Sequence, residues 1–239
     1  MPLEHEHTPE AIEARLNAGQ RPNYLRDFVY GGIDGAVTTF AVVSGVSGAE
    51  LSDGIVIILG VANLLADGFS MAASNYSGTK TEIDDANRLR AVEEKHIRLE
   101  PDGEREEIRQ IMAGKGLSGD TLEGAVEAIT GDKKVWVDTM LSDEYGLATS
   151  QRSPLTSAVA TFAAFLVCGG VPLLPFLFDG SEPFAWSLAM TTAVFFAIGS
   201  AKSRWSLAPW WWSGLESTAI GLVAAGVAYL AGYLLGGLA

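Results

Sequence analysis

Cysteine, histidine and basic residues are scarce in this sequence of 239 residues. It contains one cysteine, three histidines, and 16 lysines and arginines against 29 aspartates and glutamates. The lone Cys168 excludes a disulfide framework and a cysteine-based zinc site. The net charge of −13 excludes nucleic-acid binding, because no basic cluster is present to neutralise phosphates, and it favours the attraction of cations.

Signatures of catalysis and secretion are also missing. No Ser-His-Asp arrangement, phosphate loop or nucleotide fingerprint occurs, so we predict neither an enzyme nor an ATP-driven pump, and no cofactor. The first 27 residues are polar, so no cleavable signal peptide is expected. His5 and His7 alternate with glutamates in this tail and offer a weak metal-capture motif, for which a solvated acidic tail is the simpler interpretation.

Apolar residues are concentrated in two parts of the chain. Residues 28–76 and 154–238 are nearly free of charge, whereas residues 80–150 contain 17 acidic and 10 basic residues. Because about 20 apolar residues cross a bilayer, we predict an all-α membrane protein with five transmembrane helices. The predicted spans are residues 28–49, 55–76, 154–178, 183–200 and 213–235, with Pro172 and Pro175 bending the end of the third.

An acidic helical domain is predicted between the second and third spans. The predicted division is a tail at 1–22, two spans in 23–78, the inserted domain at 79–150 and three spans in 151–239. The second span has no breaker before about residue 99, PDG at 101–103 predicts a turn, and further helices are predicted at 104–114, 118–129 and 133–145. Ser118 or Asp120 is the expected cap of the second of these helices, and Val135, Met140 and Leu141 are the apolar positions of the third.

The basic residues predict the orientation of the chain. With five spans they all fall on one side, and the opposite connections, residues 50–53 and 179–182, contain only acids. The positive-inside rule then places the N-terminus and the acidic domain in the cytoplasm and the C-terminus outside. The residues that decide this are Arg21, Arg26, Lys80, Arg152, Lys202 and Arg204.

Polar residues occur at membrane depth in the first two spans. Asp34 lies a little over one turn inside the first span. Asn63, Asp67, Met71 and Asn75 follow at four-residue intervals in the second span, so on a helix they form one slowly drifting stripe. An ionisable group at this depth is costly unless it faces a cavity, a partner or an ion, so we treat these residues as candidates for an ion pathway.

Three of these residues offer metal ligands. Asp34, Asp67 and Met71 combine hard oxygen with soft sulfur, which suits a borderline divalent transition metal. The alternatives are a capped helix end for Asp34, core filling for Met71, and pairing with a basic group for Asp67. Glu216, near the start of the fifth span, has the same ambiguity as Asp67.

Small residues are frequent in the first span. Gly31 and Gly35 form a G-x-x-x-G motif, which permits close approach of two helix backbones in lipid. We expect this motif to contribute to contact between two subunits.

Potential metal ligands also recur at helical spacing in the acidic domain. They form pairs three or four residues apart: Glu93 and His96, Glu104 and Glu107, and Met140 and Glu144. Carboxylates at this spacing on adjacent helices build metal sites in helical bundles. The alternative is a solvated acidic face without metal.

Two motifs resemble those of a known family. DFVYGGIDGAVTT at residues 27–39 and FSMAASNY at residues 69–76, with the inserted acidic helices between the second and third spans, resemble the vacuolar iron transporter family. The resemblance covers the chain from about residue 24 to its end. It implies a homodimer whose translocation path lies between the first spans of two subunits, lined here by Asp34 and Met71.

The resemblance also implies an activity. It implies export of ferrous iron from the cytoplasm in exchange for protons, with a bacterial inner membrane as the expected location. It further implies a cytoplasmic domain that collects metal, and by position its ligands are Glu93, Glu104, Glu107, Met140 and Glu144.

The sequence departs from the family pattern at three positions. His96 replaces a glutamate, Leu141 replaces a second methionine, and Asp67 replaces a small residue. A histidine ligates metal only when neutral, so metal capture would depend more on pH.

Other functions remain as alternatives. Manganese export and binding of zinc remain open because oxygen ligands with one thioether discriminate poorly among neighbouring metals. A membrane-anchored metal sensor or scaffold without transport is the third alternative.

Overall fold

The computed structural model describes residues 6–18, 22–147, 152–178 and 181–236. Within these ranges the chain is helical and contains no β-strand, which confirms the predicted all-α class. His5, Arg21 and Asp179, on which some of the predictions rest, lie outside these ranges. The helices are, in chain order, α1 (Pro9–Ala18), α2 (Leu25–Gly48), α3 (Asp53–Leu99), α4 (Pro101–Gly114), α5 (Gly119–Thr130), α6 (Lys133–Asp143), α7 (Pro154–Gly170), α8 (Pro183–Lys202) and α9 (Trp210–Leu235).

The chain divides into two compact units. Unit 1 comprises residues 1–22 and 79–151, and unit 2 comprises residues 23–78 and 152–239. Five of the described helical segments are long and apolar enough to cross a membrane: α2, α3, α7 with its continuation to Leu177, α8 and α9. The prediction of five transmembrane helices is therefore confirmed. The second span forms the first part of α3, which continues without a break to Leu99, as the absence of a helix breaker predicted.

Two prolines end α7. The α-helix stops at Gly170, and a 3-10 segment, Val171–Leu177, follows it. Pro172 and Pro175 have no N–H group to donate, and a proline ring clashes with the preceding turn of an α-helix. The predicted bend at the end of the third span takes the form of this 3-10 segment, whose Pro172 carbonyl accepts a hydrogen bond from Ser187 at 2.7 Å.

In unit 2, α7, α8 and α9 all pack against α2. The approach to α7 is very close: a Cβ atom at Gly31 would lie 2.2 Å from the carbonyl oxygen of Thr161, and one at Gly35 would lie 2.5 Å from that of Phe165. The prediction that this G-x-x-x-G motif joins two subunits is therefore wrong. The two backbones approach so closely within one chain that only hydrogen fits at either position.

Replacement of Gly31 by alanine tests this seam. We expect Gly31→Ala to destabilise unit 2 by about 1–3 kcal/mol, because overpacking against a backbone atom forces the helices apart. Gly226→Ala in α9 is the matched control, since a Cβ there meets nothing within 4 Å. Thermal unfolding of both variants in detergent checks this, and equal midpoints would contradict the assignment of the seam.

Unit 1 is built around an apolar cluster. Its buried members come from three helices: Ile108 and Met112 of α4, Val126 of α5, and Trp136 and Met140 of α6. Ile108 and Met112 lie four residues apart, as do Trp136 and Met140, so α4 and α6 each present one apolar face to the cluster.

The start of α4 differs from the prediction. The turn predicted at residues 101–103 is instead the first turn of α4, which begins at Pro101. Proline suits this position because the first N–H groups of a helix have no partner within the helix. Asp102 and Glu104 in the same turn favour a helix start through the helix dipole.

The caps of the two following helices also refine the prediction. Ser118 precedes α5 in extended conformation, as predicted, but its side chain forms no capping hydrogen bond. The carboxylate of Asp132 caps α6 by accepting hydrogen bonds from two main-chain N–H groups, at 2.8 and 3.2 Å. This helix ends at Asp143, two residues earlier than predicted.

The buried face of α6 was only partly predicted. Met140 and Leu141 are buried as expected, but Val135 is 45% exposed, and Trp136 and Val137 are buried with them. Residues 136, 137, 140 and 141 form one helical face, and residue 135 lies outside it. The prediction for Val135 is therefore wrong because it followed residue type rather than helical period.

Candidate metal sites

Asp34 is a half-buried carboxylate on α2. Within the part of the chain that the structure describes, it forms no ion pair, and its main-chain carbonyl accepts a hydrogen bond from the Thr38 hydroxyl at 2.8 Å. Asp67 on α3 lies close enough for the two negative charges to repel each other. Asp67 is exposed in the single chain and has no basic partner among the described residues, contrary to the alternative that it pairs with one.

Met71 and Asn63 lie one turn to either side of Asp67 along α3. Both are half-buried, and the amide nitrogen of Asn63 has no hydrogen-bond partner among the described residues. This polar face is the place where a cation would find carboxylate and thioether ligands, and the assignment of these residues to a pathway stays a prediction.

Asn75, the last residue of the predicted stripe, takes part in a buried polar network. Its amide nitrogen lies 2.8 Å from Asp27 Oδ1, 2.7 Å from Thr161 Oγ1 and 3.3 Å from the carbonyl oxygen of Ser157. Asp27 is 2% exposed and also accepts a hydrogen bond from Arg152 Nη1 at 3.2 Å. Asp27 is therefore compensated by a cation and an amide, unlike Asp34.

Three candidate ligands of the acidic domain come together in unit 1. Glu93 on α3, His96 one turn later and Glu104 on α4 each offer a ligand atom, and these atoms all lie within 4.8 Å of one another. His96 Nδ1 lies 3.3 Å from Glu104 Oε1. The i, i+3 spacing on α3 places Glu93 and His96 on one face, and Glu104 reaches them from the first turn of the next helix.

The two carboxylates are buried without full compensation. Glu93 is 1% exposed and Glu104 is 5% exposed, and the Oε2 atom of each has no hydrogen-bond partner among the described residues. Tyr145 donates a hydrogen bond to Glu93 Oε1 at 2.9 Å. Buried polar atoms are nearly always satisfied in folded proteins, so this pair of oxygens is suited to a bound cation.

Repulsion among the carboxylates shifts their titration. Burial, followed by the charges of Glu93, Glu107 and Glu144, raises the pKa of Glu104 to about 7. Burial, followed by the charges of Glu93 and Glu107, also raises the pKa of Glu144. Glu107 and Glu144 therefore lie within electrostatic reach of the three residues, and their role as ligands stays a prediction.

Met140, the remaining predicted ligand, lies in apolar surroundings. It is fully buried in the apolar cluster of unit 1, beside Ile108 and Met112. It shares a helical face with Glu144, four residues later. Packing alone accounts for its position, and its role as a ligand stays a prediction.

Sequence reasoning missed Tyr145 and Arg152 as members of these sites. Tyr145 contacts a glutamate 52 residues away, and Arg152 contacts Asp27 across 125 residues. Neither contact follows from spacing along a helix. Asp27 itself stands in the quoted DFVYGGIDGAVTT motif, but only its burial reveals that it needs a partner.

Comparison with known proteins identifies the family of this chain. The sequence model of the VIT family matches residues 25–233. The chain belongs to the VIT family. Its relatives include the vacuolar iron transporter of Centaurea cyanus, 30% identical over 220 residues that cover 91% of this chain and 89% of the relative. Vacuolar iron transporter 1 of Eucalyptus grandis is 31% identical, covering 91% and 87%, and vacuolar iron transporter 1 of Arabidopsis thaliana is 29% identical, covering 91% and 87%.

Membership of the VIT family confirms two further predictions. The family consists of membrane transporters, so the resemblance stated from the two motifs is correct and the chain is not an enzyme. The five apolar helices make it a multi-pass membrane protein.

The raised pKa of Glu104 predicts how stability depends on pH. The ordinary pKa of a glutamate is 4.5, and that of the native Glu104 is about 7. Between these two pH values the native Glu104 retains a proton that the unfolded chain has lost. Stability of the metal-free protein therefore falls as pH rises through this window. We expect Glu104→Gln to remove most of this fall, on the order of 2 kcal/mol.

Thermal unfolding of the full metal-free chain in detergent, at pH 5 and at pH 8, measures the effect. Glu127→Gln is the matched control, because Glu127 is exposed on α5. A Glu104→Gln variant whose midpoint changes with pH as much as that of the wild type would contradict the assignment.

Proposed function

We propose that this VIT-family protein exports ferrous iron from the cytoplasm in exchange for protons. The observation that carries the proposal is Asp34, an acid within membrane helix α2 that has another acid, Asp67, beside it and no cationic partner among the described residues. Carboxylates at membrane depth mark ion pathways, because isolation from water is costly to them. The names of the relatives, vacuolar iron transporters, supply the cargo.

The positions of the two acids along their helices support an intramembrane site. Asp34 follows the start of α2 by nine residues, about 14 Å at 1.5 Å per residue. Asp67 follows the start of α3 by 14 residues, about 21 Å. Both distances are smaller than the apolar thickness of a bilayer, about 30 Å, so neither acid stands at a helix end.

Competition for one carboxylate couples the two fluxes. A carboxylate that holds a divalent cation must be deprotonated, so Asp34 binds either the metal or a proton. The metal leaves on the outer side of the membrane, and a proton from that same side takes its place at the same oxygen atoms and is then released to the cytoplasm. Met71 supplies a soft ligand that favours a transition metal over calcium or magnesium.

The carboxylate cluster of unit 1 provides capture on the cytoplasmic side. Glu93 and Glu104 present two buried oxygen atoms without partners, and His96 adds a nitrogen ligand. Since the pKa of Glu104 is about 7, its proton leaves readily when metal binds near neutral pH. His96 binds metal only in its neutral form, which strengthens the same dependence on pH.

The surface of α3 supports the proposal of a homodimer. Asp67 is exposed in the single chain, and Ile58, Leu65 and Phe69 on the same helix are also exposed, Phe69 to 69%. A lone charge facing lipid is costly, whereas a second copy that covers it would place it in a shared path. Light scattering of the purified protein measures this oligomeric state.

We place the protein in an inner membrane with the N-terminus and unit 1 in the cytoplasm and the C-terminus outside. The basic residues that flank the membrane helices support this orientation, since cytoplasmic loops are rich in lysine and arginine. The described members are Arg26, Lys80, Arg152, Lys202 and Arg204, and the opposite loops hold Glu50, Asp53 and Glu182.

Manganese is the second candidate cargo. Asp34, Asp67, Glu93 and Glu104 are oxygen ligands, and such ligands suit manganese as well as ferrous iron. A transport assay in which ferrous iron and manganese compete shows which of the two metals the protein prefers.

Replacement of Asp34 tests the transport mechanism. We expect Asp34→Asn, reconstituted in liposomes, to lose at least about tenfold in ferrous iron flux driven by a pH gradient, because the shared carboxylate is gone. Asp53→Asn is the matched control, since Asp53 is an exposed acid at the start of the neighbouring helix α3. Flux by Asp34→Asn equal to that of the wild type would rule out the mechanism. Metal binding by the wild type without any flux would favour a sensor or scaffold.

Replacement of the buried glutamates tests metal capture. Calorimetric titration of the full chain with Mn2+ or Fe2+ should show an affinity that rises with pH between about 6 and 8, as Glu104 loses its proton. We expect the double variant Glu93→Gln/Glu104→Gln to lose this site, a change of at least about tenfold in affinity, and Glu127→Gln to retain it. An unchanged affinity in the double variant would remove unit 1 from the proposal.

A further inference from the structure

A polar network at the start of α2 links three helices of unit 2. Asp27 belongs to α2, Asn75 to α3 and Thr161 to α7, while Arg152 precedes α7 by two residues. The Asn75 amide contacts both other helices, and the Thr161 hydroxyl donates to the main-chain oxygen of Asp27 at 3.4 Å. The proposed transport mechanism gives this buried ion pair no ligand role.

The Asn75–Asp27 hydrogen bond determines which residues of α2 and α3 stand at the same depth. The two helices are joined by a short turn at residues 49–52 and run antiparallel. From Asp27, Asp34 lies seven residues along α2, about 10.5 Å. From Asn75, counting back along α3, Met71 lies four residues away and Asp67 eight, about 6 and 12 Å. Asp34 therefore lies at a depth between Met71 and Asp67.

The position of Asp67 is consistent with this register, because the charges of Asp34 and Asp67 lie within electrostatic reach of each other. A shift of one helical turn between α2 and α3 would move Asp34 by about 5.4 Å relative to both candidate ligands. Correct depth is therefore a requirement for any site formed by Asp34 with Met71 or Asp67.

Glycines of α3 face apolar side chains of α7 and of the segment that follows it. Gly60 faces the Leu173 side chain, and Gly68 faces the rings of Phe162 and Phe165. These contacts are apolar and non-directional, and flexible side chains adapt to a shift. Hydrogen bonds to a buried charge are short and directional, and breaking one leaves a charge uncompensated.

We propose that Asp27, held by Arg152, is a positioning residue that fixes the register of α2 against α3 through Asn75 and thereby aligns Asp34 with Met71 and Asp67. This inference rests on the proposed transport function for its consequence, but not for the network itself. It predicts that loss of the Asp27 charge weakens metal binding at a site two helical turns away.

A double-mutant cycle on transport kinetics tests the alignment. In liposomes with ferrous iron as substrate, we expect Asp27→Asn and Asn75→Ala each to raise KM about tenfold, as loss of supporting contacts does at metal sites. The double variant should raise KM no further, because both changes break the same link. Asn87→Ala, an exposed asparagine farther along α3, is the matched control.

The pattern of KM and Vmax separates positioning from simple stability. A merely structural role would lower Vmax in proportion to the folded protein and leave KM unchanged, which would overturn the inference. Multiplying KM effects, about a hundredfold in the double variant, would assign Asn75 a ligand role of its own and also overturn it. If Asp27→Asn does not fold, Asp27→Glu, which moves the charge by one methylene group, replaces it with the same expected rise in KM.

Two further outcomes keep the inference distinct from the proposed function. Absence of flux in the wild type would overturn transport, whereas wild-type flux with an unchanged KM in Asp27→Asn would overturn only the positioning role. Hydrogen–deuterium exchange of residues 67–78 in detergent reports the network without transport. We expect exchange there to accelerate about tenfold in Asp27→Asn and not in Asn87→Ala, and unchanged exchange would overturn the network as a restraint.

Discussion

The compensation of negative charge inside an apolar helix bundle is the constraint on which unit 2 depends. Asp27 shows the structural solution, because a guanidinium and an amide surround its carboxylate and it is almost fully buried. Asp34 lies two turns farther along the same helix, half-buried, with another acid as its charged neighbour. An acid with no built-in partner persists at this depth when a mobile cation serves as its partner. The contrast between these two aspartates distinguishes the scaffold of the bundle from its candidate pathway.

The scaffold in turn depends on how closely backbones approach α2. The carbonyl oxygens of Thr161 and Phe165 occupy the space that a side chain at Gly31 or Gly35 would need. This contact commits one side of α2 to α7 within the chain, so the glycines are not available to a second subunit. In the proposed homodimer, the partner copy would use another surface. The exposed apolar face of α3 that contains Phe69 also carries Asp67, which forms no ion pair among the described residues.

Features determined by local sequence were predictable, and features determined by distant contacts were not. The continuity of α3 follows from the lack of a breaker, and Asp34 is conspicuous because one charge interrupts an apolar run. A G-x-x-x-G motif predicts close approach but does not identify the approaching helix, which explains the error at Gly31. Tyr145 and Arg152 gained their roles through residues 52 and 125 positions away, a relation that periodicity does not encode.

Two different carboxylate sites suit two stages of one transport process. Glu93 and Glu104 are buried by protein, and the pKa of Glu104 near 7 means that a small change in metal or proton concentration changes its state. Such a site gains and loses metal readily at neutral pH, which suits capture rather than permanent storage. The intramembrane acids Asp34 and Asp67 have no histidine or tyrosine hydrogen-bond partner among the described residues, so binding there depends on the alignment of helices rather than on local hydrogen bonds. In the proposed mechanism, capture is thus governed by protonation, and passage by the register of α2 against α3.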